Sequence, residues 1–311
     1  MNIRDFYSKA GGPLCCLLLM VSMVGCHRSV KEQSEFQENA LGQTHPMTGK
    51  IFSVVDQVFI TEAQLVDALS GADYILLGEK HDNPQHHHIQ AKIVAALPRV
   101  GAVQLEMLTM NKLQQLRSAD SEKLFKEASS WQSSGWPDYS IYQPLIKTIY
   151  ARGLRPLPAH PPRMTVFSHM KASPPLPTQL TPVAIQRLEK DIERAHCGHL
   201  NRPMVKMMTS AQSFKDQFMA QEMSKQSGRG SVVLVAGNGH VRTDYGIPNY
   251  LSGSMSLAVL EVSSDKVDIS AYETSPYEFV WFTQRVDNDD PCKKFEKQLR
   301  KMKHRHQKQE K

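Results

Sequence analysis

The chain has 311 residues, 41% of them apolar, 22% charged and 7% aromatic. That composition supports a real core and one large domain or two small ones; it excludes a wholly disordered chain, a collagen-like chain and a small disulfide scaffold. The net charge of +6 is uneven: residues 293–311 hold nine Lys/Arg and two Glu, residues 1–25 add one positive charge, and the body between is left at −2.

Arg4 and Lys9 precede an apolar stretch from Pro13 to Val24, too short to span a bilayer and of the length of a signal-peptide core. It ends in Met23-Val24-Gly25-Cys26, which resembles a bacterial lipobox, where a small residue precedes a cysteine that receives a diacylglycerol. Residues 1–25 thus read as a lipoprotein signal peptide and Cys26 as the lipidation site; an ordinary secretory signal cut nearby is the alternative. His27 rather than Asp follows the cysteine, which in lipoproteins of Gram-negative bacteria implies sorting to the outer membrane. Cys197 and Cys292 then remain in an oxidising compartment, either as a disulfide or as two unpaired cysteines, one of them buried.

Residues 26–47 are a polar tether without apolar periodicity. Thr61 caps a helix carrying Leu65, Val66 and Leu69. Tyr74 to Leu77 is a short apolar strand ending at Gly78, and Pro84 opens a helix running to Leu97. Ala102 to Leu105 is a second strand, helical patterns follow around 110–130 and 141–151, and Leu154 to Pro158 is a third strand. The Pro- and Ser-rich stretch 161–180 predicts a break. Helices follow from Thr181-Pro182 to about Ala195 and from about Pro203 to Met223. Ser231 to Ala236 is a strongly β-branched strand, with further strands at 256–262, 267–272 and 279–283.

This alternation predicts an α/β fold: a mainly parallel sheet with flanking helices, plus a smaller helical subdomain. The α/β domain occupies 48–163 and 228–292, the subdomain 164–227, and 293–311 is a basic tail. The tail reads as a solvated helix end with Phe295, Leu299 and Met302 at helical spacing. No nucleic-acid partner is expected.

The polar residues collect where strands end: Glu79 and His81 after the first, Glu106 after the second, His160 after the third, His240 after the fourth. In open parallel sheets such ends face one cleft. Two Glu and three His there suit metal binding, acid–base work or recognition of a polar ligand. Glu79, His81, Glu106 and His240 are the catalytic candidates, with His81 and His240 also the candidate metal ligands. Singly, each is as readily a turn residue. No dinucleotide fingerprint, phosphate-binding loop, nucleophile elbow or zinc helix is present.

These residues resemble the haem-binding uptake family called ChaN, within the Tiki superfamily. The segments that carry the likeness are Gly78-Glu79-x-His81-Asp82-Asn83 with His86, His87 and Gln90; Leu105-Glu106-Met107; Trp136 with Tyr139 and Tyr142; His196-Cys197-Gly198; Ala211-Gln212 with Asp216, Met219 and Ala220; Ala236-Gly237-Asn238-Gly239-His240 with Gly246-Ile247-Pro248; and Asp290-Pro291-Cys292. One departure stands out: Ala159-His160-Pro161-Pro162-Arg163 occupies a segment where the resemblance leads us to expect an Asn.

The resemblance implies a haem-binding outer-membrane lipoprotein, lipid-anchored and facing the periplasm or the cell surface. It would serve haem or iron uptake or storage, as a homodimer with haem between subunits, with an outer-membrane receptor as a candidate partner. Haem needs an apolar slot, an axial ligand and cations for two propionates. Tyr139, Tyr142 and Tyr150 are the ligand candidates, and Arg152, Arg155 and Arg163 can meet propionates. His160 either adds an imidazole near the site or replaces a hydrogen bond. Met204, Met207, Met208, Ala211, Phe214 and Phe218 recur at helical spacing; such a Met-rich face adapts to a flat ligand, but core packing against the neighbouring helix is the preferred reading. No C-x-x-C-H occurs, which excludes covalent attachment. The rival reading, from the wider superfamily, is a hydrolase of esters or peptides with Glu79 as general base and His81 and His240 as metal ligands or proton shuttles.

Overall fold

A computed structural model describes residues 41–294 apart from 173, 264 and 289. The lipobox, Cys26 and the amphipathic pattern of the tail lie outside the described residues. Among the described residues no helix is long and apolar enough to cross a membrane.

The strands are β1 (Ile51–Ser53), β2 (Val58–Ile60), β3 (Tyr74–Glu79), β4 (Val100–Thr109), β5 (Pro156–His160), β6 (Ser231–Gly237), β7 (Ser254–Glu261) and β8 (Phe279–Thr283). They form one sheet in the order β2-β1-β8-β7-β3-β6-β4-β5. The six strands from β8 to β5 run parallel, and β1 adds an antiparallel strand beside β8. The stretches 48–163 and 228–292 therefore share a sheet.

The central strands are apolar throughout because both faces are covered. Ile75, Leu77, Val233, Val235, Leu257 and Val259 pack on one side with α1 (Glu62–Ser70), α2 (Pro84–Ala96) and α5 (Tyr139–Ala151). Leu76, Val232, Leu234, Ala236, Ala258 and Val280 face the other way, toward Met219 and Met223 of α8 (Arg202–Ser224). Each strand feeds alternate side chains to the two layers. Helix α7 (Pro182–Ala195) packs through Leu188 and Ile192 in a smaller cluster with Tyr245.

Local chemistry sets the helix starts. The Thr61 hydroxyl accepts from the Gln64 amide and the Gln64 side chain accepts from the Thr61 amide, a capping box. Asn83 caps α2 with Pro84 at its first position, and Thr181 caps α7 with Pro182.

Two expectations, the break at 161–180 and the strand at 267–272, are corrected, one helical region is resolved more finely and one hairpin is added. The helical pattern around 110–130 divides into a short turn at Met110–Lys112, α3 (Leu113–Ser118) and α4 (Glu122–Ser129), because Ser121 caps a fresh start. The stretch 161–180 holds α6 (Arg163–Ala172): Pro161 and Pro162 lie before its first turn, where prolines open a helix instead of breaking it. No strand forms at 267–272; Asp268 accepts from the Ser270 amide and caps a 3-10 turn at Ile269–Ala271, while β8 already pairs with β1 and β7. The hairpin β1–β2, three residues a strand, has no counterpart in the strands read from the sequence.

Cys197 and Cys292 are disulfide-bonded. The bond ties the turn after α7 to the last described helix, α9 (Pro291–Lys294).

Candidate functional site

The parallel registers bring the carboxyl ends of three strands level: Glu79 lies opposite Gly237, and Leu105 opposite Val235, so Glu106 falls beside them. This is also where the chain reverses its path through the sheet, from β3 to β4 on one side and from β6 to β7 on the other, the place where open α/β sheets bind ligands. A Cβ at Gly237 would sit 3.0 Å from Nε2 of His81, so the glycine lets that ring lie over the end of β6. A Cβ at Gly78 would meet Asn238 Oδ1 at 2.2 Å, which keeps the two loops in contact.

The side chains form a continuous polar network. Glu79 is buried; its Oε1 accepts from the Tyr142 hydroxyl at 2.7 Å and lies 2.6 Å from His81 Nδ1, while its Oε2 accepts from Gln90 Nε2 at 2.8 Å and lies 3.2 Å from His87 Nδ1. Glu106 Oε2 accepts from the Gly237 amide at 2.9 Å and lies 4.0 Å from His81 Nε2; its Oε1 lies 3.1 Å from His240 Nε2. His240 Nδ1 bonds to Asp216 Oδ1. The order Tyr142–Glu79–His81–Glu106–His240–Asp216 thus runs from α5 to α8 across three strand ends. His81, with a side chain 33% exposed, is its outlet to solvent.

Electrostatics fix the charge states. Burial pushes Glu79 up, but His87 and His81 outweigh it and hold the carboxyl below its ordinary range. Glu106 is likewise lowered against burial, by His240 first. Burial alone would neutralise His240; the carboxylates of Glu106 and Asp216 reverse this and raise it to about 9. His81 is raised, its burial outweighed by its bond to Glu79. Asp216 is raised by burial, which the His240 charge offsets only in part, and its Oδ2 has no hydrogen-bond partner. The network therefore holds the His240 imidazolium between the carboxylates of Glu106 and Asp216. Among the described residues no group of three His, Cys, Asp or Glu is arranged to hold a metal ion.

Beside the network lies a cavity of about 370 Å³. Val166, Phe167, Met170, Ile192, Met208 and Ala211 supply its apolar lining; His160, Arg163, His196, Gln212 and Lys215 supply the polar groups. Gln212 joins the two regions, because its Nε2 also lies 3.0 Å from His240 Nδ1. Arg163 and Lys215 form no salt bridge among the described residues. His160 Nδ1 lies 2.7 Å from the Pro161 carbonyl and His196 Nδ1 2.8 Å from the Ile192 carbonyl. A carbonyl only accepts, so each Nδ1 carries a proton and, in the neutral ring, Nε2 is left as a free donor of electrons. Burial lowers the His160 pKa and favours that neutral ring.

Of the residues named from sequence, the structure gathers Glu79, His81, Glu106 and His240 in the network, and His160 and Arg163 at the cavity. None of the three tyrosines lines the cavity, and only Tyr142 belongs to the network. Tyr142 is fully buried on Glu79, Tyr139 is buried with its hydroxyl 3.3 Å from Glu122 Oε1, and the Tyr150 hydroxyl donates to the Ala119 carbonyl at 2.8 Å. Arg152 donates to the Ala95 carbonyl. Sequence reasoning missed Phe167, Met170, His196, Met208 and Lys215 as cavity residues, because no local pattern separates a helix face on a cavity from one on the core. Met204, Met207 and Met208 are only half-buried, and Met208 lines the cavity; the core methionines of α8 are Met219 and Met223, farther along the helix.

No curated protein shows significant similarity to the chain. Among solved structures, it matches "Cofacial heme binding to ChaN of Campylobacter jejuni" with a TM-score of 0.63 and 23% identity, over 74% of this chain and 95% of that one. It also matches the type III effector HopBA1 (TM-score 0.42, 14% identity, 70% and 91% covered) and RRSP, a MARTX toxin effector domain from Vibrio vulnificus CMCP6 (TM-score 0.39, 13% identity, 76% and 40% covered). The first likeness concerns the fold. The family model described as haem-binding uptake, Tiki superfamily, ChaN matches residues 65–251, more than half of the chain and a span that holds the network and the cavity. The chain belongs to this ChaN family of the Tiki superfamily.

Proposed function

We propose that the protein binds haem non-covalently in the cavity between β5, α6, α7 and α8, for haem or iron uptake or storage. The observation that carries this is the cavity's donor set. Six apolar side chains, two imidazoles with protonated Nδ1 and the cations of Arg163 and Lys215 meet in one space, which fits the slot, axial ligand and propionate partners that haem requires. Family membership supports the same ligand, as does the cofacial heme binding of the C. jejuni ChaN. Titrating the full-length chain in detergent with haemin tests it. A saturable Soret change is expected; a change that never saturates would refute the reading.

The anchoring at Cys26, the outer-membrane location and an uptake receptor as partner belong to this proposal and rest on residues 1–27 and the family. So does a homodimer. Helix α6 has no buried residue, and its Met164 and Phe167 are 69% and 60% exposed, Phe167 lining the cavity. Sedimentation velocity with and without haemin checks this: haem is expected to favour the dimer.

A second reading is favoured by the Asp216–His240–Glu106 chain, which can hold and move a proton beside a solvent-reached imidazole. It predicts hydrolysis of an ester or peptide, abolished in H240A. Unchanged turnover in that variant would end it.

A further inference from the structure

We propose that the segment 295–302 seats its apolar side chains, Phe295, Leu299 and Met302, on the exposed face of α6 at the mouth of the cavity, as a cover supplied by the chain itself. The inference stands apart from the haem reading, because it concerns what packs on the cavity mouth in the chain alone.

The ten residues of α6 include none that is buried. Helices in proteins owe most of their stability to an apolar face packed on a neighbour, and α6 meets that need on one side only. There His169 bonds to Ser210 and stacks on Phe214, both on α8. Met164 and Phe167, three residues apart and so on one side of the helix, are exposed. Phe167 also lines the cavity, so this side borders its opening.

The disulfide decides between the occupants. Cys292 is bonded to Cys197, the neighbour of His196, and His196 lines the same cavity as Phe167 and Met170. The chain therefore passes into the tail at the rim of the cavity, and Phe295 follows Cys292 by three positions. Phe295, Leu299 and Met302 recur at i, i+4 and i+7; at that spacing Lys297, Arg300 and Lys301 fall on the other side, where the positive charge of the tail stays in water. Such a stripe is about 10 Å long at helical rise, against about 15 Å for α6. Met302 lies ten residues beyond Cys292, a reach of about 15 Å as helix and about 34 Å extended. A tether this short holds the stripe at an effective concentration on the order of millimolar, which a lipid surface or a second copy has to exceed. A ligand entering the cavity, or a second copy seated on α6, then displaces the cover.

The test uses the full-length chain in phosphatidylcholine nanodiscs without haemin, with the photo-crosslinker p-benzoylphenylalanine in place of Leu299, Met302 or, as control, Lys301. Mixed isotope-labelled and unlabelled chains separate crosslinks within a chain from those between copies. Crosslinks from 299 and 302 should fall on α6 of the same chain, around Met164 and Phe167, with a yield severalfold above that from 301. F167D puts a charge on an exposed position, so it should fold, as circular dichroism checks, and lower that yield severalfold. In the chain without crosslinker, the methyl resonance of Met164 should move in L299A. Crosslinks to a second copy, to lipid or to other parts of the chain, no crosslink at all, equal yields from the three positions, a yield indifferent to F167D, or an unmoved Met164 resonance would each overturn the proposal.

Discussion

His240 is the residue whose state the surroundings dictate most. Between Glu106 and Asp216 its pKa stands at about 9 rather than 6.5. A folded-state pKa above the unfolded one contributes stability that is complete below pH 6.5 and disappears as pH rises through about 9. The stability difference between the wild type and H240Q should therefore shrink by roughly 3 kcal/mol over that window, as read from urea unfolding at successive pH values. A difference independent of pH would mean that the ring is not held charged. Tyr142 offers a second check. Its buried hydroxyl donates to Glu79, so Y142F should cost about 1–3 kcal/mol, with the Glu79 carboxyl titrating higher. The strand-end residues Glu79, His81, Glu106 and His240 were legible in the sequence, since each follows a short apolar run. Asp216 and Gln212 were visible only as part of the family resemblance. Their role at His240 depends on α8 crossing the end of β6, a tertiary placement that no local pattern encodes. The tyrosines illustrate the opposite difficulty. An aromatic-rich stretch reads alike whether its hydroxyls face a ligand or a buried carboxylate.

At the scale of elements, the central strands and the long helices were readable because burial on both sheet faces leaves continuous apolar runs and because Thr61, Asn83, Thr181 and Asn201 cap their helices by side-chain bonds. What escaped was short or depended on neighbours. The strands of the β1–β2 hairpin are three residues each, and β1 is an element only because β8 offers it an edge. Conversely, Val267 to Tyr272 alternates like a strand but forms a capped 3-10 turn, and β8, the strand that follows it, is already paired on both sides. The disulfide is the tie most open to test at this scale. It closes a separation of 95 residues, so replacing both cysteines by serine should cost about 2–5 kcal/mol by loop-closure entropy, measured as lost unfolding free energy in the oxidised protein. A Cβ at Gly246 would approach the His240 and Arg242 carbonyl oxygens at 2.4 and 2.7 Å. G246A should therefore displace the loop that carries His240 and cost about 1–3 kcal/mol, with the His240 resonance shifted; an unmoved resonance would show that the loop adapts elsewhere.

For the whole molecule, two regions with different chemistry share one sheet edge: a charged, buried network and an apolar cavity, joined by Gln212. The proposed haem site is the cavity, and Ala211, buried in its lining, lies one residue from that junction. The most direct measurement is a haemin titration of A211W beside the wild type, with circular dichroism confirming that both are folded. An indole at this position would fill the cavity, so the saturable Soret change of the wild type should be lost or weakened at least about tenfold. A folded A211W that binds haemin as tightly as the wild type, with the same spectrum, would contradict this and put the ligand outside the cavity.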